Sequence, residues 1–157
     1  MRLRPIEPRD HAFVLALNRI HEHLTAPLSQ DRLLELLGWA DRADVIEADG
    51  SPAGFVFTFA SGGPSYDSAN YLEFRRLFAE FTYLDRIVID SAFQRRGLGS
   101  AVYDDLETTA RSRMVLEVNI DPPNEPSLAF HEARGYRPVA EFGPPGHRVL
   151  QLSKELG

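Results

Sequence analysis

Cysteine is missing from all 157 residues. That single absence excludes a disulfide framework, a thiol nucleophile and a zinc–thiolate site. Long apolar runs are missing too: no stretch approaches the about 20 residues that a membrane-spanning helix needs. The start, Met1-Arg2-Leu3-Arg4-Pro5, lacks the apolar core of a signal peptide. A cytoplasmic location without a membrane partner is therefore expected. Positive charge is in short supply, with 17 Lys and Arg against 23 Asp and Glu and a formal net charge of −6. This balance disfavours nucleic acid as a partner and suits a cationic substrate. Metal-ligand spacing is lacking as well. His21 and His23 stand two apart, which on a helix puts them on nearly opposite sides, and H-E-x-x-H does not occur. No metal is expected.

What is present reads as one globular domain over residues 1–157, with 43% hydrophobic and 25% charged residues. Leu3 to Glu7 reads as a first strand ended by Pro8. Asp10 is placed to cap a helix bearing Phe13, Leu17, Ile20 and Leu24 at helical spacing. Ser29 is placed to cap a second helix, with Leu33, Leu34, Leu36 and Leu37 on one face and Gly38 as its stop. Val45–Ala48 and Gly54–Ala60 read as strands joined by the hairpin signal Asp49-Gly50-Ser51, with Phe55, Phe57 and Phe59 on one side. Ser61 to Ser68 is a Gly/Pro/Ser-rich break. After it Tyr71, Phe74, Leu77, Phe78 and Phe81 predict an extra helix, so that a loop-helix insert occupies about 61–81. Tyr83–Ile89 is a strand, 98–111 a helix and Met114–Ile120 another strand. Pro126–Arg134 is a helix closed by Gly135, and Val139–Phe142 and Arg148–Leu152 pair at the end. The order β-α-α-β-β-(insert)-β-α-β-α-β-β predicts an α/β (α+β) fold, a mixed sheet with helices on both faces.

The informative stretch is Gln94-Arg95-Arg96-Gly97-Leu98-Gly99, between the strand Tyr83–Ile89 and the helix that follows. A glycine-bearing turn opening into a helix aims free backbone N–H groups at an anion such as a phosphate. Gly97 and Gly99 allow close approach and a positive φ. A P-loop would need Lys and then Ser/Thr after its last glycine, but Ser100 and Ala101 follow Gly99. A dinucleotide loop would need glycine or alanine where Val102 stands. A plain glycine turn between strand and helix remains the bland alternative.

Three segments, in order over residues 83 to 136, carry a resemblance. Ile87-Val88-Ile89-Asp90-Ser91-Ala92-Phe93-Gln94-Arg95-Arg96-Gly97-Leu98-Gly99 resembles I-A-V-D-P-x-F-Q-R-R-G-L-G. Val115-Leu116-Glu117-Val118 resembles an L-E-V strand, and Asn124 to Tyr136 resembles N-x-x-x-x-A-L-Y-E-x-x-G-F. These are segments of ribosomal-protein N-terminal acetyltransferases within the GNAT N-acetyltransferase superfamily.

The resemblance implies a mostly antiparallel sheet splayed at its centre, with acetyl-CoA as cosubstrate. The backbone of Ile87, Val88 and Ile89 would pair with the pantetheine like an added strand. The N–H groups from Arg95 to Ser100 (Arg95, Arg96, Gly97, Leu98, Gly99 and Ser100) would hold the diphosphate, and Asn124 the CoA arm. For the side chains of Arg95 and Arg96 a solvated loop is the other reading, and for Asn124 a helix cap. Glu117 would be the base that takes a proton from the amine, or else part of a solvated strand face. A backbone N–H near Val88 would hold the oxyanion.

The family commonly protonates the leaving thiolate with a tyrosine, and this chain has His131 at that position. His131 is thus the candidate acid, with packing or binding as its alternative, while Tyr136 reads as packing. The stretch Ile120-Asp121-Pro122-Pro123 lengthens the gap to Asn124 by two residues. In and beside the insert, Tyr66, Asp67, Tyr71, Tyr83 and Asp85 are candidates to select a cationic amine. The function implied is direct acetyl transfer to a primary amine, either a peptide N-terminus or a small molecule, in a ternary complex. A homodimer is compatible with this. The competing reading is a non-catalytic acyl-CoA-binding sensor.

Overall fold

The computed structural model describes residues 1–62 and 66–157. Gly63, Pro64 and Ser65, in the predicted Gly/Pro/Ser break, lie outside the described residues. Among the described residues are seven strands: β1 (Arg2–Pro5), β2 (Arg42–Ala48), β3 (Ser51–Ala60), β4 (Thr82–Ile89), β5 (Arg113–Asp121), β6 (Arg137–Phe142) and β7 (Arg148–Glu155). Five α-helices among the described residues accompany them: α1 (His11–Ile20), α2 (Gln30–Trp39), α3 (Ala69–Leu77), α4 (Leu98–Thr109) and α5 (Glu125–Ala133). The strands form one sheet in the order β1-β2-β3-β4-β5-β7-β6. Every neighbouring pair is antiparallel except β4 with β5. No helix among the described residues is long and apolar enough to cross a membrane.

Alternation along the strands divides the core in two. Phe55, Phe57 and Phe59 turn to one face, where Val14 and Leu17 of α1, Leu33 and Leu36 of α2, and Tyr71 and Phe74 of α3 cover them. Val56, on the opposite side of β3, joins Leu116 and Val118 of β5 beneath Val102, Tyr103 and Leu106 of α4. Each such side chain contributes roughly 1.5–3 kcal/mol when fully buried. Ser29 caps α2 as its position predicts, accepting from the Arg32 N–H at 3.0 Å.

Several boundaries and faces differ from the sequence expectation. The first strand stops at Pro5, and Asp10 does not cap α1 with its side chain. Its carboxylate is buried instead against the Arg4 guanidinium, with bonds of 2.7 and 2.9 Å, and also accepts from the Glu7 N–H at 2.8 Å. A charged partner within reach outcompetes a local cap. Ile20 and Leu24 point outward, because α1 buries Val14, Leu17 and Asn18. Leu34 is likewise exposed: the helical period puts Leu33 and Leu36 inward, and α2 passes Gly38 to end at Trp39. His21 and His23 follow the end of α1 rather than lying on it.

Two local features position the site. The β3–β4 ladder runs Phe57↔Arg86 and then Thr58↔Leu84, so Asp85 is an extra, unpaired residue on β4. Such a bulge re-aims the side chains next to it. At the other end of the ladder Gly54 passes so close to β4 that a Cβ would lie 2.3 Å from the Val88 carbonyl oxygen.

Gly54→Ala is therefore expected to destabilise the protein by about 1–3 kcal/mol in denaturant unfolding, as overpacking does. Asp10 has a pH signature. Hydrogen bonds from Arg4, above all, hold its carboxyl down at about 2, against about 3.9 in an unfolded chain. The stabilisation is then complete above the unfolded value and is lost as pH falls through the folded one. Asp10→Asn should be less stable than wild type at neutral pH, with the difference closing in acid, as read by thermal unfolding against pH.

Candidate active site

The parallel β4–β5 ladder contains only Thr82↔Met114 and Tyr83↔Val115. Beyond Tyr83 the two strands part, and a cleft of about 1060 Å³ opens between them. Asp85, Arg86 and Ile87 of β4 border it on one side, and Leu116 to Asn119 of β5 on the other. The segment 22–27 after α1 and the start of α5 close its ends.

Backbone direction follows from the ladder. The Asp90 N–H donates to the Ala53 carbonyl at 2.8 Å. In an antiparallel pair alternate residues point the same way, so Val88, paired with Phe55, also turns its N–H and C=O toward β3. Ile87 and Ile89 turn theirs to the open side, where β5 has parted. The Ile89 carbonyl already accepts from the Gln94 side chain at 3.2 Å. This corrects one expectation: Val88 has no backbone group to offer an oxyanion or a pantetheine, whereas its two neighbours do.

The glycine turn lies at the end of β4. Gly97 takes φ 74° and Arg95 φ 63°, and α4 starts at Leu98. The first bond closing that helix comes from Ala101 N–H to Gly97 O at 3.1 Å, which leaves the N–H groups of Leu98, Gly99 and Ser100 without helical partners. Gly99 is helical, and a Cβ on it would come no nearer than 3.9 Å to Ile89 Cδ1. Neither conformation nor packing demands glycine there, and the open space fits a close-lying phosphate. Arg96 is engaged elsewhere, bonded to Asp49 of the β2–β3 turn and lying over Phe93. Arg95 is exposed and forms no ion pair among the described residues.

Glu117 lies on β5 at the cleft floor. Its Oε1 accepts from the Tyr83 hydroxyl at 2.6 Å, and its Oε2 is screened from solvent with no partner. Burial pushes its carboxyl up to about 8; Tyr83 opposes this, Asp85 adds to it and Arg86 opposes it. Asp85 also borders the cleft, bonded by the Tyr66 hydroxyl and by Arg86 Nε at 2.6 Å. Arg86 reaches on to Asn18 Oδ1 and the Ala26 carbonyl, so it braces the 22–27 wall.

Not every candidate selector of the acceptor faces this space. Tyr71 is wholly buried, its hydroxyl on the Ala60 carbonyl at 2.6 Å, and packs in the aromatic core. Asp67 is exposed and pairs with Arg32 at 2.7 Å, outside the cleft lining. Tyr83 lies beneath the floor and holds Glu117, while Tyr66 and Asp85 border the cleft.

Across the cleft, His131 on α5 is buried, with Nδ1 2.7 Å from the Ser127 carbonyl and Nε2 2.6 Å from the Tyr103 hydroxyl. A carbonyl only accepts, so the proton is on Nδ1 and Nε2 accepts from Tyr103. Burial lowers the imidazole pKa, the Ser127 carbonyl working against that shift. The ring is thus neutral and has no free N–H to give a leaving thiolate, which corrects its expected role as a direct acid. Asn124 caps α5 through Oδ1, accepting from the Ser127 N–H at 3.3 Å, and also borders the cleft. The two extra residues before it fold back: Ile120 bridges Pro123, and the Asn124 N–H returns to the Asn119 carbonyl at 2.9 Å.

Sequence reasoning missed Tyr103, Arg86 and the 22–27 wall. A charge between Leu84 and Ile87 in an apolar run was the signal for Arg86. Tyr103 lies outside the three motif segments, and no local pattern ties it to His131.

The family model described as "Acetyltransferase (GNAT) family" matches residues 11–136. No curated protein matches the chain by sequence. Among solved structures, Ard1 from Thermoplasma volcanium has a similar fold (TM-score 0.72, 19% identity), covering 99% of this chain and 97% of that one. The ribosomal-protein-S18-alanine N-acetyltransferase from Escherichia coli superposes with TM-score 0.67 at 18% identity, over 99% and 93%. Arabidopsis thaliana Naa50, in complex with the bisubstrate analogue CoA-Ac-MVNAL, gives 0.69 at 11% identity, over 99% and 98%. With the matched residues spanning the parted strands, the glycine turn and the floor carboxylate alike, the chain belongs to the GNAT family of acetyltransferases.

Proposed function

We propose that this protein, as one domain, transfers the acetyl group of acetyl-CoA to a primary amine by direct attack within a ternary complex. The observation that carries the reading is the open β4 edge, with a phosphate-ready turn at its end and Glu117 across the gap. The N–H and C=O groups of Ile87 and the N–H of Ile89 would pair with the pantetheine amides, and one of these N–H groups would hold the oxyanion. The N–H groups of Leu98, Gly99 and Ser100 would take the diphosphate, with Arg95 as the free cation nearby. Asn124, its Oδ1 committed to the cap, would offer its amide N–H₂ to the CoA arm.

Glu117 would accept the proton lost by the amine, directly or through water. Asp85 and Tyr66 would present a polar wall to the incoming ammonium group. The thiolate leaves without a strong acid, since a thiol of pKa about 8.5 is a tolerable leaving group. His131 works in this scheme through Tyr103, whose hydroxyl it holds. A peptide N-terminus and a small amine both fit this chemistry, and the peptide-like analogue bound to Naa50 supports the former.

The test is CoA-thiol release from acetyl-CoA across a panel of peptides and small amines. The carboxyl of Glu117 is neutral below about 8, so kcat/KM should rise with pH through that region as the base form appears. Glu117→Gln should remove this limb and lower the rate about 100-fold or more, the usual scale for a lost general base. Gly99→Val should leave the melting temperature nearly unchanged but weaken acetyl-CoA binding by at least about tenfold, roughly 1.4 kcal/mol. Tight acetyl-CoA binding without turnover on any amine would point to a sensor instead, and no binding at all would sink both readings.

A further inference from the structure

Three buried side-chain oxygens have no hydrogen-bond partner among the described residues: Thr58 Oγ1, Glu117 Oε2 and Gln151 Oε1. The last two belong to residues directly opposite each other in the antiparallel β5–β7 ladder. Their side chains therefore leave the same face of the sheet, with Cβ atoms about 5 Å apart. Gln151 is fully buried, and its amide nitrogen is turned to Asn70 Oδ1 of α3 at 3.4 Å. Glu117 has its other oxygen occupied by Tyr83. An acceptor buried without a donor gives up its water bonds for nothing, so two side by side call for a donor between them. Both atoms are sealed from solvent, and neither water nor an amine reaches them in this state. With the Gln151 amide nitrogen turned to Asn70, a proton on Glu117 itself supplies that donor.

We propose that Gln151 is a positioning residue for the base: Glu117 rests as the carboxylic acid, its Oε2–H donating to Gln151 Oε1 while its Oε1 accepts from Tyr83. One proton satisfies both orphaned oxygens. The inference rests on Glu117 as the base and deepens that reading, because the amide then governs how readily the base form appears. Deprotonation releases this proton to water. The carboxylate later takes one proton from the attacking amine and returns to the resting acid.

The surrounding charges agree with a neutral resting state. Burial is the largest influence on the carboxyl, and Asp85 of β4 disfavours a second negative charge. Arg86 and Tyr83 of β4 act the other way, but Arg86 is already bonded to Asp85. Tyr66, ahead of α3, donates to Asp85 rather than to Glu117. Asn70 and Gln151 carry no charge. On the remaining walls His131 is neutral against Tyr103, and His147 borders the cleft from the β6–β7 turn.

Infrared difference spectra between acid and alkaline pH read this carboxyl without any turnover. Wild type should show a protonated-carboxyl C=O band at neutral pH that Glu117→Gln abolishes. Gln151→Leu, which removes the acceptor, should shift that band to higher frequency and move its titration to lower pH. Gln151→Glu keeps an acceptor and adds a like charge, so the titration should move to higher pH. The acid limb of kcat/KM should follow both shifts. The proposal is overturned by the absence of a protonated band at neutral pH, by a band unmoved in Gln151→Leu, or by a titration that rises there. Should Gln151→Leu not fold, a titration that stays or falls in Gln151→Glu overturns it equally. If the band shifts as expected in a protein that acetylates no amine, the proton bridge stands and the functional reading fails.

Discussion

The two halves of the sheet are joined by very little backbone. Thr82 with Met114 and Tyr83 with Val115 form the whole β4–β5 ladder, whereas β3 with β4 and β5 with β7 each pair over most of their length. A strand edge deprived of its neighbour leaves N–H and C=O groups without a partner, and a buried backbone must find one. The constraint is thus also the invitation: an extended amide-bearing ligand would complete the ladder that β5 abandons. The position of Glu117 on the parting strand, the bulge at Asp85 and the turn after β4 all take their meaning from that gap.

Charge is placed with the same economy. Asp85 is balanced by Arg86, which in turn anchors the 22–27 wall through Asn18 and Ala26. Glu117 is managed by burial and by the Tyr83 hydroxyl rather than by a cation. The result is one carboxyl tied to a cation and one pushed toward its neutral form by burial, both bordering the same cleft.

Legibility in the sequence followed the range of the interactions. The period-2 pattern Phe55-Phe57-Phe59, the Ser29 cap and the glycine turn are local, and they placed α2, the start of α4 and the end of β3 nearly to the residue, although β3 begins at Ser51 rather than Gly54. Asp10 was misjudged because its partner, Arg4, lies on a different element and is a stronger attraction than a cap. Leu34 and Ile20 were misjudged because an apolar residue says nothing about which side of a short helix meets the core. Within the site, Glu117 was visible through its place in the L-E-V resemblance. The pairing of His131 with Tyr103 was not, since 28 residues separate them and nothing local ties one to the other. The direction of the Val88 backbone depends on register, which no composition records.

The hydrogen bond from Tyr83 to Glu117 spans the gap just past the last paired residues. It therefore acts as a tie-rod between the two strands just where their two-pair ladder ends. Any widening of the cleft lengthens that rod, and any change in the charge at its Glu117 end alters its tension. Aperture and basicity are in this way two readings of one coordinate: a molecule that spreads the strands would also shift the carboxyl that lies between them.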